Sequence, residues 1–248
     1  MQLTELREFC DEYLKVGDFK DYCPNGLQVE ASAEVTNIIC GVTACQALID
    51  AAIEAGADTV IVHHGYFWRG ESQTITGIKG QRIRSLIQNG INLLAYHLPL
   101  DAHAEVGNNV QLARRMDWEV TGNGGDQGLL YQGRLAQAQS LEGLTREIDA
   151  RLETRTLAID GGAGSIERIA WCTGAARDFI EAAADWGVDA FVSGEISEQT
   201  FHQARELGLH YLAAGHHATE RYGVQALAAE IGNRFAIPQR FIDIANPV

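Results

Sequence analysis

Apolar positions Leu3, Leu6, Phe9, Cys10, Tyr13 and Leu14 recur at helical spacing, with Asp11, Glu12 and Lys15 on the other side, and predict an amphipathic first helix. The stretch Asp21-Tyr22-Cys23-Pro24-Asn25-Gly26 reads as a turn by its Pro and Asn-Gly. Ile38 to Val42 is an apolar run of strand length, and Gln46 to Ala55 has the pattern of a helix returning across a sheet. Gly56 closes that helix. The β-branched run Thr59-Val60-Ile61-Val62 then predicts a buried strand that ends at His63, His64 and Gly65, completing a βαβ unit. Lys79 to Asn89 reads as a further helix, Gly90 as its stop and Ile91 to Tyr96 as the next strand.

Gly122 to Gly128 holds four glycines and little that can pack, which sets an expected domain boundary there. The chain is thus read as two α/β domains, 1–125 and 126–248, with a last strand near 239–245 able to pack back onto the first. In the second, Leu129 to Leu135 predicts a strand, Ser140 to Leu152 a helix with Ser140 as its N-cap, and Arg155 to Ile159 a short strand. A flexible Asp160-Gly161-Gly162-Ala163-Gly164 follows. The second half then echoes the first: Ile38 to His64 aligns without a gap on Ile169 to Glu195, which matches His64 with Glu195. A weaker echo, with one residue inserted, matches His97 and Asp101 with His216 and Glu220. The echo predicts two similar α/β domains facing each other, with strand ends lining a shared cleft.

Of the eight histidines, six fall in three short clusters: His63-His64, His97 with His103, and His216-His217. Acids accompany them at Asp101 and Glu220. Imidazole and carboxylate together suit Zn, Mn, Fe or Ni. Adjacent residues of an extended strand point to opposite faces, so His63 and His64 share one site only if the strand has ended or each takes its own ion. That favours a dinuclear centre in the cleft with His63, His64, Asp101, His216 and Glu220 as ligands. Pro99 argues against regular helix across His97 to His103 and predicts a rigid loop that aims Asp101. A helix over the third cluster would set His216 and Glu220 one turn apart on one face. His97 stands as a group that supports a ligand or touches substrate. His103, Glu195 and His217 are open between such a role and plain surface, and His202 and His210 are read as structural.

Several chemistries are excluded. No G-x-x-x-x-G-K-[ST] or H-E-x-x-H occurs, and Ser165 and Ser193 lack a nucleophile-elbow context. A net charge of −14 with no Lys/Arg run disfavours non-specific nucleic-acid binding. The five cysteines are scattered, never C-x-x-C, and fit reduced thiols. The opening residues lack an apolar signal core and no apolar run is long enough for a bilayer, so the expected location is the cytoplasm, with no membrane partner. Tyr66-Phe67-Trp68-Arg69 has the composition of a lid over a flat anionic ligand, or equally of a core or subunit contact.

These residues lie in blocks that resemble the Ngg-interacting-factor-three-like family, also called the type 2 GTP cyclohydrolase I family. The blocks are Asp21 to Glu30, Gly41-Val42-Thr43, Val62 to Trp68, His97 to Asp101, Ser193-Gly194-Glu195 and Ala214 to Glu220, and together they span nearly the whole chain. The resemblance implies the same five metal ligands around two divalent ions, a NIF3-like fold of two α/β domains, and a ring-shaped homohexamer. It also implies a hydrolase that opens a purine nucleotide or related heterocycle through a metal-bound hydroxide and releases formate. In that chemistry His97 or Glu195 would be the catalytic proton carrier, and Arg69 or Lys79 would contact phosphate. The alternatives are a dinuclear phosphoester or amide hydrolase and a non-enzymatic metal-binding or interaction protein.

Overall fold

The computed structural model describes residues 1–162 and 164–248, so Ala163 of the glycine-rich segment expected to be flexible lies outside the described residues. In chain order, α1 (Leu3–Tyr13) leads to β1 (Gly26–Val29), β2 (Ile38–Thr43), α2 (Gln46–Glu54), β3 (Thr59–His64), α3 (Gly77–Gln88), β4 (Asn92–Ala95) and α4 (Leu98–Ala102). Then follow α5 (Asn108–Met116), β5 (Glu119–Gly124), β6 (Leu130–Gln139), α6 (Leu141–Leu152), β7 (Leu157–Ile159) and β8 (Ile166–Cys172). The last elements are α7 (Ile180–Asp185), β9 (Ala190–Ser193), α8 (Glu198–Glu206), β10 (His210–Ala213), α9 (His216–Thr219), α10 (Arg221–Phe235) and β11 (Gln239–Phe241).

Two compact units result, one of residues 1–107 with 223–245 and the other of 108–222 with 246–248. The expected boundary at 125/126 is therefore displaced. The glycine-rich stretch is no linker, because Glu119–Gly124 pairs with Leu130–Arg134 as antiparallel strands and hydrogen bonding satisfies its backbone.

Among the described residues, the first unit holds a sheet of order β1-β4-β3-β2-β11, in which β4, β3, β2 and β11 run parallel and β1 antiparallel. Side chains alternate across it as strand geometry requires. Ile38, Cys40, Ile61 and Leu94 pack with Leu3, Leu6, Val224, Leu227 and Ile231 of α1 and α10. Ile39, Val60, Val62 and Leu93 pack on the opposite face with Leu48, Ile49, Ile83 and Leu86 of α2 and α3. Both faces are covered, which explains why these strands read as unbroken apolar runs.

The second unit, among the described residues, has a sheet of order β5-β6-β8-β9-β10-β7, parallel from β8 to β10 and antiparallel elsewhere. Ser140 caps α6, accepting from Gly143 N at 3.1 Å as its sequence position predicts. The echo between the halves is present in the strand registers. Ile38 faces Thr59 in the first sheet and Ile169 faces Ala190 in the second, the same residues the ungapped alignment matches. A carboxylate locks each register at the same place. Asp58 Oδ2 accepts from Thr36 N and Asn37 N at 2.8 and 3.2 Å, and Asp189 Oδ2 from Glu167 N and Arg168 N at 3.0 and 2.7 Å.

Among the described residues no helix is long and apolar enough to cross a membrane.

Candidate metal centre

In the first unit the carboxyl ends of β3 and β4 bring three imidazoles together. His63 is fully buried, and its ring centroid lies 4.5 Å from that of His64 and 5.1 Å from that of His97. The strand does end at His64, so the two adjacent rings gather rather than diverge. Gly65 makes this possible: a Cβ there would sit 2.2 Å from Gln28 Oε1 and 2.6 Å from the Ala95 Cβ, so only glycine lets the chain pass so close. One nitrogen from each of His63, His64 and His97 lies within 4.8 Å of the others, a spacing that could hold a metal ion.

The outer partners of the rings fix their orientation. His63 Nδ1 lies 2.9 Å from Tyr96 O, which as a carbonyl can only accept, so Nδ1 carries the proton and Nε2 is the atom that could ligate a metal. His63 Nε2 stands 3.4 Å from Asp101 Oδ1, and Asp101 is 6 % exposed. His64 Nδ1 contacts Thr43 Oγ1 at 3.2 Å. His97 Nδ1 lies 2.8 Å from Asp21 Oδ1.

Asp101 is carried on α4, not on the loop expected from Pro99. Proline sits in the first turn of that helix, where its missing N–H is not needed, and Leu100 N and Asp101 N bond His97 O at 2.8 and 3.1 Å.

The second unit repeats the motif with more oxygen. His216 Nδ1 lies 2.7 Å from Glu195 Oε1 and His216 Nε2 lies 3.0 Å from Glu220 Oε2. Arg177 Nη1 holds the other Glu195 oxygen at 2.8 Å. The helix expected to span His216 to Glu220 is the four-residue α9, with Glu220 as its C-cap. Burial works against charge on His216, but Glu220 and Glu195 outweigh it and raise its pKa to about 9. Gly174 makes room for this pair: its φ is +68° and a Cβ there would meet Glu220 Oε1 at 2.0 Å and His216 Nε2 at 3.2 Å.

The predicted residues thus fall into two sets, His63, His64, His97 and Asp101 in one unit and Glu195, His216 and Glu220 in the other. His103 belongs to neither. Its ring packs on Tyr13 at 4.5 Å, its Nδ1 accepts from Glu105 N and Val106 N at 3.2 Å, and burial lowers its pKa. His210 ties Gly161 N and Gly164 O, and His202 stands edge-on to Phe201. His217 is buried, with its backbone N bonded to Val248 O. Lys79 is engaged by Glu71, Ser72 O and the Phe67 ring, and Arg69 Nη2 by Asp21 O. Trp68 of the aromatic run stands edge-on to His97 at 4.9 Å.

Sequence reasoning missed Asp21, Cys23 and Asn25, which lie beside His97. Asp21, Cys23 and His97 also offer ligand atoms within 4.8 Å of one another, but Asp21 accepts hydrogen bonds at both oxygens and suits an anchor better than a ligand. The available signal was an Asp and an Asn flanking a Cys-Pro turn, which composition alone assigns to the turn.

Comparison with known proteins agrees with this architecture. The chain matches the family model described as Duf34/NIF3 (NGG1p interacting factor 3) over residues 1–247. It is 53% identical over 249 residues to the GTP cyclohydrolase 1 type 2 homolog of Allochromatium vinosum, covering 99% of this chain and 98% of that one. It is likewise 53% identical over 248 residues to the protein of that name from Pseudomonas aeruginosa, again covering 99% and 98%. Among solved structures it is similar to protein ybgI, described as of unknown function, with a TM-score of 0.97, 49% identity and 100% of both chains covered.

Proposed function

Because the chain belongs to the Duf34/NIF3 family, we propose that it is a dinuclear metal-dependent hydrolase of the GTP cyclohydrolase 1 type 2 kind, acting on a purine nucleotide or related heterocycle. The ligands in this reading are His63, His64, Asp101, His216 and Glu220, for two divalent cations. One observation carries this reading: His63, His97 and His216 each give Nδ1 to a carbonyl or carboxylate acceptor, which leaves Nε2 as the atom for a metal or a proton. Nitrogen and carboxylate donors in this mixture fit Zn, Mn, Fe or Ni, and the glycines at 65 and 174 leave the space that a side chain would take.

Bound cations of this kind lower the pKa of water to near neutrality. His97 Nε2 is suited to carry the proton between water and the leaving group. Glu195 is engaged by both His216 and Arg177, and its role is to hold the His216 ring. The same reading carries a ring-shaped homohexamer, for which light scattering gives the mass. Purified protein loaded in turn with Zn, Mn and Fe is incubated with GTP and assayed for formate and a pterin precursor. Turnover lost in Asp101→Ala together with the metal supports the proposal, and no turnover with any loaded form rejects GTP as the substrate.

A further inference from the structure

Asp21 lies in the turn before β1, 76 residues from His97 in sequence, and its side chain is 4% exposed. A carboxylate so far out of water needs its charge satisfied from several sides. Oδ1 accepts from Tyr22 N at 2.6 Å and His97 Nδ1 at 2.8 Å, with Cys23 Sγ at 4.0 Å, and Oδ2 accepts from Asn25 Nδ2 at 2.9 Å and Leu98 N at 3.0 Å. Asn25 in turn accepts from His97 N at 2.7 Å. Burial opposes ionisation of Asp21, but the hydrogen bonds and charge of His97, with those of Asn25 and Tyr22, prevail and lower its pKa to about 2. It is therefore an acceptor only, throughout the physiological range.

Two consequences follow from that geometry. An acceptor at Nδ1 forces the proton onto that nitrogen of His97 and leaves Nε2 as the other nitrogen of a ring whose centroid lies 5.1 and 5.8 Å from those of His63 and His64. Leu98 N is the first N–H of α4, an orphan of the helix start that Asp21 satisfies from a distant segment. One carboxylate thus fixes both the His97 imidazole and the short helix that carries Asp101.

We infer that Asp21 is a positioning residue of the site, setting the tautomer and direction of His97 and the placement of Asp101. The catalytic part of this inference rests on the function proposed above. The tautomer does not, which separates the two tests.

Long-range nitrogen-15 spectra of histidine-labelled, zinc-loaded protein, with His97 assigned by its loss in His97→Gln, read the tautomer directly. Protonated Nδ1 in the wild type, lost or exchanged for protonated Nε2 in Asp21→Asn, is the expected result. A wild-type His97 protonated at Nε2 alone overturns the inference even if no Asp21 variant folds. Given turnover of any substrate, Asp21→Asn lowers kcat by about 10- to 100-fold in the wild-type background. It lowers it by no more than about twofold in the His97→Gln background, since the two groups act as one unit. Equal losses in both backgrounds would mean that Asp21 does not act through His97 and would overturn the catalytic part. Absence of turnover in the wild type would count against the proposed function, with the spectra still deciding the role of Asp21.

Discussion

Gly174→Ala is the sharpest single perturbation of the His216–Glu220 pair. The added Cβ would lie 2.0 Å from Glu220 Oε1, well inside contact distance, and the residue would keep a φ of +68°. A flexible carboxylate on the surface would swing away. Glu220 is 3% exposed and paired to His216 Nε2 at 3.0 Å, so moving it breaks that pair. Left-handed backbone costs an alanine about 1–2 kcal/mol, and an overpacked interior adds about 1–3 kcal/mol. The sum of about 2–5 kcal/mol corresponds to a fall in Tm of about 4–20 °C for a chain of this size. Zinc affinity falls by about 10- to 100-fold as the pair is displaced. Gly187→Ala is the control: its φ of +67° is nearly the same, but the nearest atom, Arg168 Nη1, is 3.7 Å from the added Cβ. It carries the backbone cost alone and leaves zinc affinity unchanged. Scanning calorimetry gives the two Tm values and zinc titration the affinities. Wild-type zinc binding in Gly174→Ala, or an equal loss in Gly187→Ala, would refute the reasoning.

Other outcomes follow from the same geometry. Removing metal with a chelator lowers Tm, and restoring zinc to 100 times its Kd returns about 2.7 kcal/mol of stability, read by calorimetry. In metal-free protein Glu220 and Glu195 raise the His216 pKa to about 9, so their stabilisation is full below the unfolded value near 6.5 and is lost as pH rises through 9. The Tm advantage of wild type over Glu220→Gln therefore shrinks between those pH values. By the same shift, zinc binding at pH 7.5 releases about one proton from His216, measured by calorimetry in buffers of different ionisation enthalpy. Burial pushes the thiols of Cys10, Cys23 and Cys40 up to about 12, so a disulfide reagent at pH 8 labels them only on unfolding.

The parallel strands of the first sheet were legible in the sequence because both its faces are covered, which makes strands such as Thr59–His64 continuous apolar runs with sharp ends. The alignment of Ile38 to His64 on Ile169 to Glu195 carried further, into the pairing register itself. Side chains with a local cause were legible too: Ser140 caps α6 because its partner is three residues on. What escaped depends on distant partners. Gly122 to Gly128 looks like a linker until β6 supplies its hydrogen bonds, and Pro99 looks like a helix breaker unless its place in the first turn is known. Asp21 has the composition of a turn residue, and only the fold brings His97 and Leu98 to it.

Asp58 and Asp189 grip the incoming chain at the amino ends of their parallel strands, whereas the histidines and acids sit where those strands finish. Alignment of the ladder and the candidate site are thereby assigned to opposite rims of each sheet. One rim can exchange an imidazole for a carboxylate, as His64 against Glu195 illustrates, while the other keeps the strands in step.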